Sequence, residues 1–218
     1  MSHVSTFLFP GDLYSRRQVC FDGVSGLTDC RFEHDNGFVE PLHHARNYVQ
    51  HWPQLQQKGL GMLFWGPPGT GKTFAAACIA NHFLESREPF GPSVVMTTFG
   101  VILRRLVALN PQDREDFMIK LLTCKLLILD DFGMERQTDF AREQVFNIIN
   151  GRYLAVSPTV VTTNLSLQEL KNPKTMADHR IYDRLLERCL PVCFGGESLR
   201  REKAADNLAF YRSIAAEA

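Results

Sequence analysis

The hydrophobic and polar residues of this chain follow two periods, one typical of buried strands and the other of amphipathic helices. Short apolar or β-branched runs predict five strands, at 60–65, 93–97, 125–130, 159–163 and 190–194. Between them, apolar residues recur every three or four positions. This spacing predicts helices at 41–56, 74–85, 101–109, 113–122, 138–154 and 181–188, and from about 198 onward. Strands that alternate with helices predict a parallel β-sheet covered by helices on both faces.

The composition is that of an ordinary globular protein and sets few limits on function. The 218 residues are 44% hydrophobic and 22% charged, which argues against a disordered or fibrous chain. The 24 basic and 24 acidic side chains give no net charge, so a nucleic-acid partner would have to meet a local basic patch. No secretory leader, membrane-length apolar run or Cys-x-x-Cys pair is evident. We therefore expect a cytoplasmic protein with reduced thiols and no membrane partner.

The segment between the first predicted strand and the next helix carries the strongest chemical signal. It fits the pattern Gly-x-x-x-x-Gly-Lys-Thr. With the residue that follows it, the predicted nucleotide-binding set is Gly66, Pro67, Pro68, Gly69, Thr70, Gly71, Lys72, Thr73 and Phe74. Glycines let the backbone wrap around phosphates, so that amide N–H groups and the helix N-terminus face the anion. We expect Lys72 to reach the β- and γ-phosphates of a bound nucleotide, and the Thr73 hydroxyl to bind Mg²⁺.

Two later strands end in polar side chains at what should be the same edge of the sheet. The apolar run 126–129 leads into Asp130 and Asp131, and strand 159–163 leads into Asn164. The carboxyl ends of parallel strands are where ligands bind in open α/β sheets. We expect Asp130 to hold Mg²⁺ and Asp131 to orient or deprotonate the attacking water. Asn164 is a candidate to hydrogen-bond the γ-phosphate or that water, although Asn at a strand end is also common in turns.

Two arginines near the C-terminal end extend this series of motifs. Arg184 lies in Asp-Arg-Leu and Arg200 follows Glu-Ser-Leu, and either one alone would be interpreted as a solvated helix charge. Together with four other segments, these arginine motifs form a series that is typical of one protein family. The four segments are Gly-Pro-Pro-Gly-Thr-Gly-Lys-Thr, Leu-Ile-Leu-Asp-Asp-Phe-Gly, Asn-Gly-Arg-Tyr and Thr-Thr-Asn. Over about residues 32–201 the chain resembles the AAA+ ATPases, and specifically the DnaC-like helicase loaders with their IstB-like transposition relatives.

The resemblance implies a fold and a role for each matched residue. The fold would be α/β, a P-loop NTPase of the AAA+ type: a three-layer αβα sandwich with a five-stranded parallel sheet and a reduced C-terminal helical lid. Asp130 and Asp131 match the Walker B pair, and Asn164 matches sensor 1. Arg184 resembles the arginine finger and Arg200 resembles the sensor 2 arginine. AAA+ proteins usually carry Asp-Glu in Walker B, so the shorter Asp131 implies slow ATP hydrolysis.

The resemblance also implies partners. An arginine finger acts on nucleotide bound by a neighbouring subunit, so ATP hydrolysis would depend on self-association into an open ring or spiral. The other partners would be a hexameric replicative helicase and single-stranded DNA inside the assembly. Aromatic and basic side chains on channel-facing loops suit strand binding without sequence preference. The candidate DNA contacts are Phe99, Arg104, Arg105, Arg136, Thr138 and Phe140.

Three alternatives stay open at the level of sequence. A transposition helper ATPase of the IstB type would bind double-stranded DNA. A P-loop small-molecule kinase would phosphorylate a metabolite, but the late arginines fit a ring ATPase better and no acceptor-binding segment is evident. A nucleotide-gated binding module would hardly hydrolyse ATP, which is consistent with Asp131.

The chain is expected to consist of one domain with a short appendage. Residues 41–218 would form the AAA+ ATPase domain, including a short C-terminal helix at 198–214. Residues 1–40 are interrupted by four glycines, and we expect them to be irregular. Helicase loaders typically add an N-terminal domain that grips the helicase. The short segment is therefore a candidate partner-binding region, with Arg16, Arg17 and Phe21 as its expected contacts.

Overall fold

The computed structural model describes residues 13–21, 25–35, 41–86, 93–134 and 138–216. The strands in these ranges are β1 Gly61–Trp65, β2 Val94–Thr98, β3 Leu126–Phe132, β4 Thr159–Thr163 and β5 Cys189–Cys193. The α-helices in these ranges are α1 Leu13–Phe21, α2 Leu42–Gln50, α3 Trp52–Gln57, α4 Lys72–Glu85, α5 Phe99–Ala108, α6 Pro111–Thr123, α7 Asp139–Leu154, α8 Leu167–Lys171, α9 Met176–Arg188 and α10 Leu199–Ala216. Within the described part of the chain, no helix combines the length and apolar character needed to cross a membrane.

The strands form one parallel sheet in the order β2-β3-β4-β1-β5. Successive side chains of a strand face opposite sides, so the sheet contributes to a core on each face. Phe64 of β1 packs with α4 and the N-terminal helices on one side, whereas its neighbour Leu63 packs with α5, α7 and α9 on the other. The predicted αβα sandwich with a five-stranded parallel sheet is therefore confirmed.

The parallel arrangement decides where the functional side chains meet. All five strands point the same way, so the loops that follow β1, β3 and β4 leave the sheet at one edge. These loops begin at Gly66, Gly133 and Asn164. Among the described residues a single helix, α10, follows β5, and the Leu199 N–H at its start donates to the carbonyl oxygen of Gly69 at 3.0 Å. The C-terminal helix is thereby attached to the same edge.

The segment before residue 41 contains a helix, which differs from the irregular structure expected from its glycines. Helix α1 packs on α4 and β2. It buries Cys20 and Phe21 in the core that surrounds α4. Glu85, at the end of α4, forms salt bridges with both Arg17 and Arg31. Part of the N-terminal segment therefore belongs to the core of the domain.

The expected partner contacts of this segment are engaged inside the chain. Phe21 is 2% exposed, so the prediction that it contacts a partner is wrong. The Arg16 side chain donates to the carbonyl oxygen of Phe83 at 3.3 Å. The Arg17 side chain lies 2.6 Å from a carboxylate oxygen of Glu85. Both arginines hold α1 against the end of α4.

Two local features of the helices differ from the sequence-based prediction. The helix predicted over 41–56 is divided into α2 and α3 at His51. Pro53 explains the division, because proline lacks an N–H and its ring would clash with the carbonyl four residues earlier in a continuous helix. Helix α8 was not predicted, although Ser166 and Glu169 form a capping box that marks its start.

Arg152, in the Asn-Gly-Arg-Tyr segment, is a buried structural cation of α7. It is 1% exposed. Its guanidinium donates to Thr159 Oγ1 at 3.0 Å and to the carbonyl oxygens of Leu121 at 2.8 Å, Cys124 at 3.0 Å and Pro158 at 2.5 Å. These bonds join the end of α6 to the start of β4. Burial lowers the pKa of the Arg152 guanidinium from its ordinary value.

Replacing Arg152 with methionine is expected to lower the free energy of unfolding by about 3 kcal/mol, because several buried carbonyl oxygens would lose their donor. Urea denaturation of the purified variant measures this loss. The matched control is Arg201→Met on the exposed surface of α10, where we expect a change below about 0.5 kcal/mol. Equal losses in the two variants would contradict the structural role of Arg152.

Candidate nucleotide-binding site

The P-loop, residues 66–73, leaves β1 at the carboxyl edge of the sheet and leads into α4. Gly66 and Gly69 have φ angles of +139° and +86°, which residues with side chains rarely adopt. A Cβ atom on Gly66 would overlap the carbonyl oxygen of Phe194, and one on Gly69 would overlap the Ser198 hydroxyl. The loop therefore requires glycine for its turns and for its close approach to the connection between β5 and α10.

Lys72 begins α4 and folds back over the loop. Its Nζ donates to the carbonyl oxygens of Gly66 at 2.8 Å and Pro67 at 2.6 Å. Burial lowers the pKa of the Lys72 ammonium, whereas the carboxylates of Asp131 and Asp130 act in the opposite direction. The P-loop leads into the N-terminus of α4, which has no side-chain cap, and the N–H groups of a first helical turn attract anions. The P-loop and Lys72 together are thus suited to phosphate oxygens.

Asp130 is a mostly buried carboxylate at the end of β3 that accepts two hydroxyl hydrogen bonds. Thr73 Oγ1 donates to its Oδ1 at 3.0 Å, and Thr162 Oγ1 donates to the same oxygen at 2.6 Å. Burial raises the pKa of Asp130, and both hydroxyls act in the opposite direction. Mg²⁺ in nucleotide sites usually takes one or two protein oxygens together with phosphate oxygens and water. Thr73 and Asp130 therefore fit the predicted metal.

Asp131 lies at an irregularity in the pairing of β3 with β4, where the register shifts between Leu129 and Phe132. Its φ angle of +54° is in the left-handed region, which is uncommon for residues other than glycine. The Asp131 N–H donates to Thr162 Oγ1 at 3.0 Å. Its side chain is exposed. The irregularity turns this carboxylate toward the edge of the sheet where the P-loop begins.

A cleft of about 200 Å³ opens between the P-loop, the ends of β3 and β4, and the start of α10. It is lined by Pro68, Gly69, Lys72, Thr73, Asp131, Met134, Asn164 and Arg200. Asn164 and Arg200 are distant from the P-loop in sequence, yet the fold brings both to the predicted phosphate site. A larger cavity of about 540 Å³ lies between α2 and β5 and contains no P-loop residue. The smaller cleft is therefore the candidate nucleotide site.

Arg184 is engaged by groups of its own chain outside this cleft. On α9, its Nε donates to Asn150 Oδ1 at 3.0 Å and its Nη1 to the carbonyl oxygen of Arg180 at 2.6 Å. The guanidinium also lies over the rings of Phe146 and Tyr153, at 5.5 and 5.4 Å from their centroids. Arg184 does not line the cleft. Its action on the nucleotide of another copy stays a prediction.

Phe99 is a core residue, so the prediction that it contacts DNA is wrong. It is 1% exposed, and its ring packs edge-on against Phe132 with a centroid distance of 5.9 Å. Ile102 and Leu106 continue the same buried stripe along α5. This spacing of three and four residues was a sequence signal that Phe99 faces the core.

Four of the other five predicted DNA contacts are exposed, and the fifth lies outside the described residues. Arg104 and Arg105 are exposed on α5. Thr138 and Phe140 are exposed at the start of α7, where the Thr138 hydroxyl also caps the helix by accepting from the Ala141 N–H. Arg136 lies outside the described residues. A DNA-binding role for these five stays a prediction.

Two residues that the sequence analysis did not single out belong to the site. Met134 lines the cleft and is 69% exposed. Thr162 joins Asp130 to the backbone of Asp131 through its hydroxyl. The Thr-Thr-Asn motif drew attention to Asn164, but the bonds of Thr162 reach residues more than 30 positions earlier, and no local pattern reveals them.

The fold and the site together define a P-loop nucleotide-binding domain of the AAA+ class. Residues 56–207 match the family described as IstB-like ATP binding protein. The chain belongs to this family of ATP-binding proteins.

Two curated relatives and one solved structure indicate the chain's neighbours within the class. The replicative helicase loader DnaI of Bacillus subtilis (strain 168) is 31% identical over 153 residues, which cover 66% of this chain and 48% of DnaI. The replicative helicase loader DnaC of Escherichia coli (strain K12) is 27% identical over 180 residues, covering 79% of this chain and 69% of DnaC. The crystal structure of the DnaC helicase loader superimposes with a TM-score of 0.60 at 25% identity, covering 76% of this chain and 94% of that one. The chain thus spans about half the length of DnaI.

Proposed function

We propose that the protein is an ATP-hydrolysing helicase loader that acts on a replicative helicase and single-stranded DNA. The observation that carries this proposal is the cleft at the P-loop, where Lys72, Asp131, Asn164 and Arg200 converge from separate parts of the fold. Similarity to the loaders DnaI and DnaC supports a helicase as the protein partner. ATP binding would favour the assembled state that grips DNA, and hydrolysis would release it.

The residues of the cleft suit a slow ATPase. The P-loop amides and Lys72 would hold the phosphates. Thr73 and Asp130 would hold Mg²⁺, which when bound supplies charge neutralisation at the β- and γ-phosphates. Asp131 would orient the attacking water or accept its proton, and Asn164 would hydrogen-bond the γ-phosphate or that water. The short side chain of Asp131 would have to reach through water, so we expect slow turnover.

A complete catalytic site would need a neighbouring copy of the chain. Arg200 lines the cleft of its own subunit, whereas Arg184 is held against α7 by Asn150 and does not. We therefore assign Arg200 to the nucleotide of its own subunit and Arg184 to that of the next. ATP would lie at each subunit boundary of an open ring or spiral. A lone subunit would then lack a group worth about 10³- to 10⁵-fold in the rate of phosphoryl transfer.

Single-stranded DNA would bind weakly to one subunit and more strongly to the assembly. Arg104, Arg105 and Phe140 are exposed and combine basic with aromatic character. The zero net charge of the chain predicts a shallow salt dependence for a lone subunit, because few phosphates would be neutralised. A ring would concentrate the same few side chains from every subunit around one strand.

Steady-state ATP turnover, measured with and without DNA, tests this proposal. We expect slow turnover that single-stranded DNA stimulates more than a duplex of the same length. The family description makes a transposition helper the specific alternative, and stimulation by duplex DNA together with binding to a transposase would favour it. Phosphate transfer to a metabolite would indicate a kinase. ATP binding without turnover would indicate a nucleotide-gated binding module.

A further inference from the structure

Thr162 makes two hydrogen bonds that connect both acidic residues at the end of β3. Its Oγ1 donates to Asp130 Oδ1 at 2.6 Å and accepts from the Asp131 N–H at 3.0 Å. A threonine hydroxyl has one proton and two lone pairs, so one group can serve both bonds at once. Thr162 is 0% exposed, and water therefore cannot take its place without a rearrangement of the strand.

The position of Thr162 in the sheet makes these bonds consequential. The pairing of β3 with β4 is regular up to Leu129 and resumes at Phe132, so Asp130 and Asp131 lie in the irregular part. Ladder hydrogen bonds are disrupted at such an irregularity, and side-chain bonds have to hold the backbone there. The next residue of β4, Thr163, donates to the carbonyl oxygen of Phe132 at 2.7 Å. Two adjacent threonines thus hold the two ends of the irregularity.

The Asp131 backbone is the part that most needs this support. A φ angle of +54° is unfavourable for a residue with a side chain, and it persists only where the surroundings determine it. The hydrogen bond from the Asp131 N–H to Thr162 is a contact that fixes this conformation. The same conformation leaves the Asp131 carboxylate lining the cleft, while Asp130 stays buried beside Thr73.

We propose that Thr162 is a positioning residue that sets the geometry of both acidic groups through one hydroxyl. Its donated bond fixes the Asp130 carboxylate for Mg²⁺, and its accepted bond holds Asp131 in the conformation that directs the second carboxylate at the attacking water. The catalytic part of this inference rests on the proposed ATP hydrolysis. The structural part concerns the folded chain without nucleotide.

Two substitutions at this position separate the hydroxyl from the space it fills. Thr162→Val keeps the shape and removes both bonds, whereas Thr162→Ser keeps the hydroxyl. The matched control is Thr97→Val on β2, since Thr97 is also buried in a strand and its Oγ1 has no hydrogen-bond partner among the described residues. Thr97 does not line the cleft. Each variant is compared with the unmodified chain.

The first measurement is amide hydrogen exchange of the nucleotide-free protein. We expect the Asp131 amide to exchange about tenfold faster or more in Thr162→Val, because it loses its acceptor, and to stay near the unmodified rate in Thr162→Ser and Thr97→Val. This readout does not depend on ATP hydrolysis. If Thr162→Val does not fold, Thr162→Cys, whose thiol is a weak hydrogen-bonding group, serves as the second variant with the same expected direction.

The second measurement is the split between kcat and KM for ATP. Loss of a group that orients a metal-binding residue typically reduces activity about 10- to 100-fold. We expect kcat of Thr162→Val to fall by that amount with little change in KM, and Thr162→Ser to restore most of it. Unchanged exchange at Asp131 together with unchanged kcat in Thr162→Val would overturn the inference. If the unmodified chain turns over no ATP, the proposed hydrolysis fails, and the exchange data still decide whether Thr162 positions Asp131.

Discussion

Replacing Lys72 with methionine is expected to weaken ATP binding by about 2–3 kcal/mol, which is about 30- to 150-fold in Kd. The Lys72 ammonium lies against two carbonyl oxygens of the P-loop. When nucleotide binds, phosphate oxygens would replace these carbonyl oxygens as the acceptors of charge-assisted hydrogen bonds from Lys72. Methionine has a side chain of similar length but no hydrogen-bond donor. Fluorescence titration with a labelled ATP analogue measures the change, and ATP turnover should fall below detection.

The control for this variant is Lys171→Met, which removes an exposed lysine at the end of α8. We expect it to bind ATP as the unmodified chain does. Thermal unfolding of both variants separates lost binding from lost folding. Full ATP affinity in a folded Lys72→Met protein would contradict the assignment of the P-loop as the phosphate site.

Replacing Arg184 with alanine is expected to reduce ATP hydrolysis about 10³-fold or more while leaving nucleotide binding intact. Arg184 is held on α9 and does not line the cleft of its own chain, so its loss should leave nucleotide binding there unchanged. Hydrolysis should fall because the neighbouring subunit would lose its proposed arginine finger. Turnover and ATP binding are measured on the same preparation. The control is Arg180→Ala, one turn earlier on α9, whose side chain is exposed.

Mixing two inactive variants distinguishes action on a neighbour from action within the chain. In a mixture of Arg184→Ala with Asp131→Asn, which keeps the P-loop and Lys72 for ATP binding and assembly, some boundaries combine an intact cleft with an intact arginine. Random head-to-tail assembly of equal amounts makes about one boundary in four complete, so we expect about a quarter of the unmodified turnover. No recovery in the mixture, or normal hydrolysis by Arg184→Ala alone, would contradict a role in trans.

The strands and the P-loop were predictable because their signals are contiguous in sequence. The run 126–129 is apolar throughout, as expected for a parallel strand buried on both faces. The helix formed by residues 13–21 was not predicted, since its burial depends on packing against β2 and α4, which only the tertiary structure brings together. The break at His51 could have been predicted, because Pro53 cannot lie inside a continuous helix without a lost hydrogen bond and a steric clash.

The functional residues likewise fall into two groups, those that a local sequence motif predicts and those whose role depends on partners distant in sequence. Lys72 and Asp130 follow from local motifs, and the parallel sheet then places their motifs at one edge. The hydroxyl bridge of Thr162 and the buried guanidinium of Arg152 depend on partners some 30 residues away in sequence, which no single local pattern specifies. Phe99 shows the opposite case, because its helical spacing from buried apolar residues indicated a core position.

Helicase loading itself tests the proposed function most directly. The hexameric replicative helicase of the source organism is incubated with closed circular single-stranded DNA, ATP and this protein. The helicase retained on the circles after a salt wash is then quantified. We predict that retention requires both ATP and the protein and is lost when Lys72→Met replaces the unmodified chain. Equal retention without the protein, or with Lys72→Met, would contradict its assignment as an ATP-dependent helicase loader.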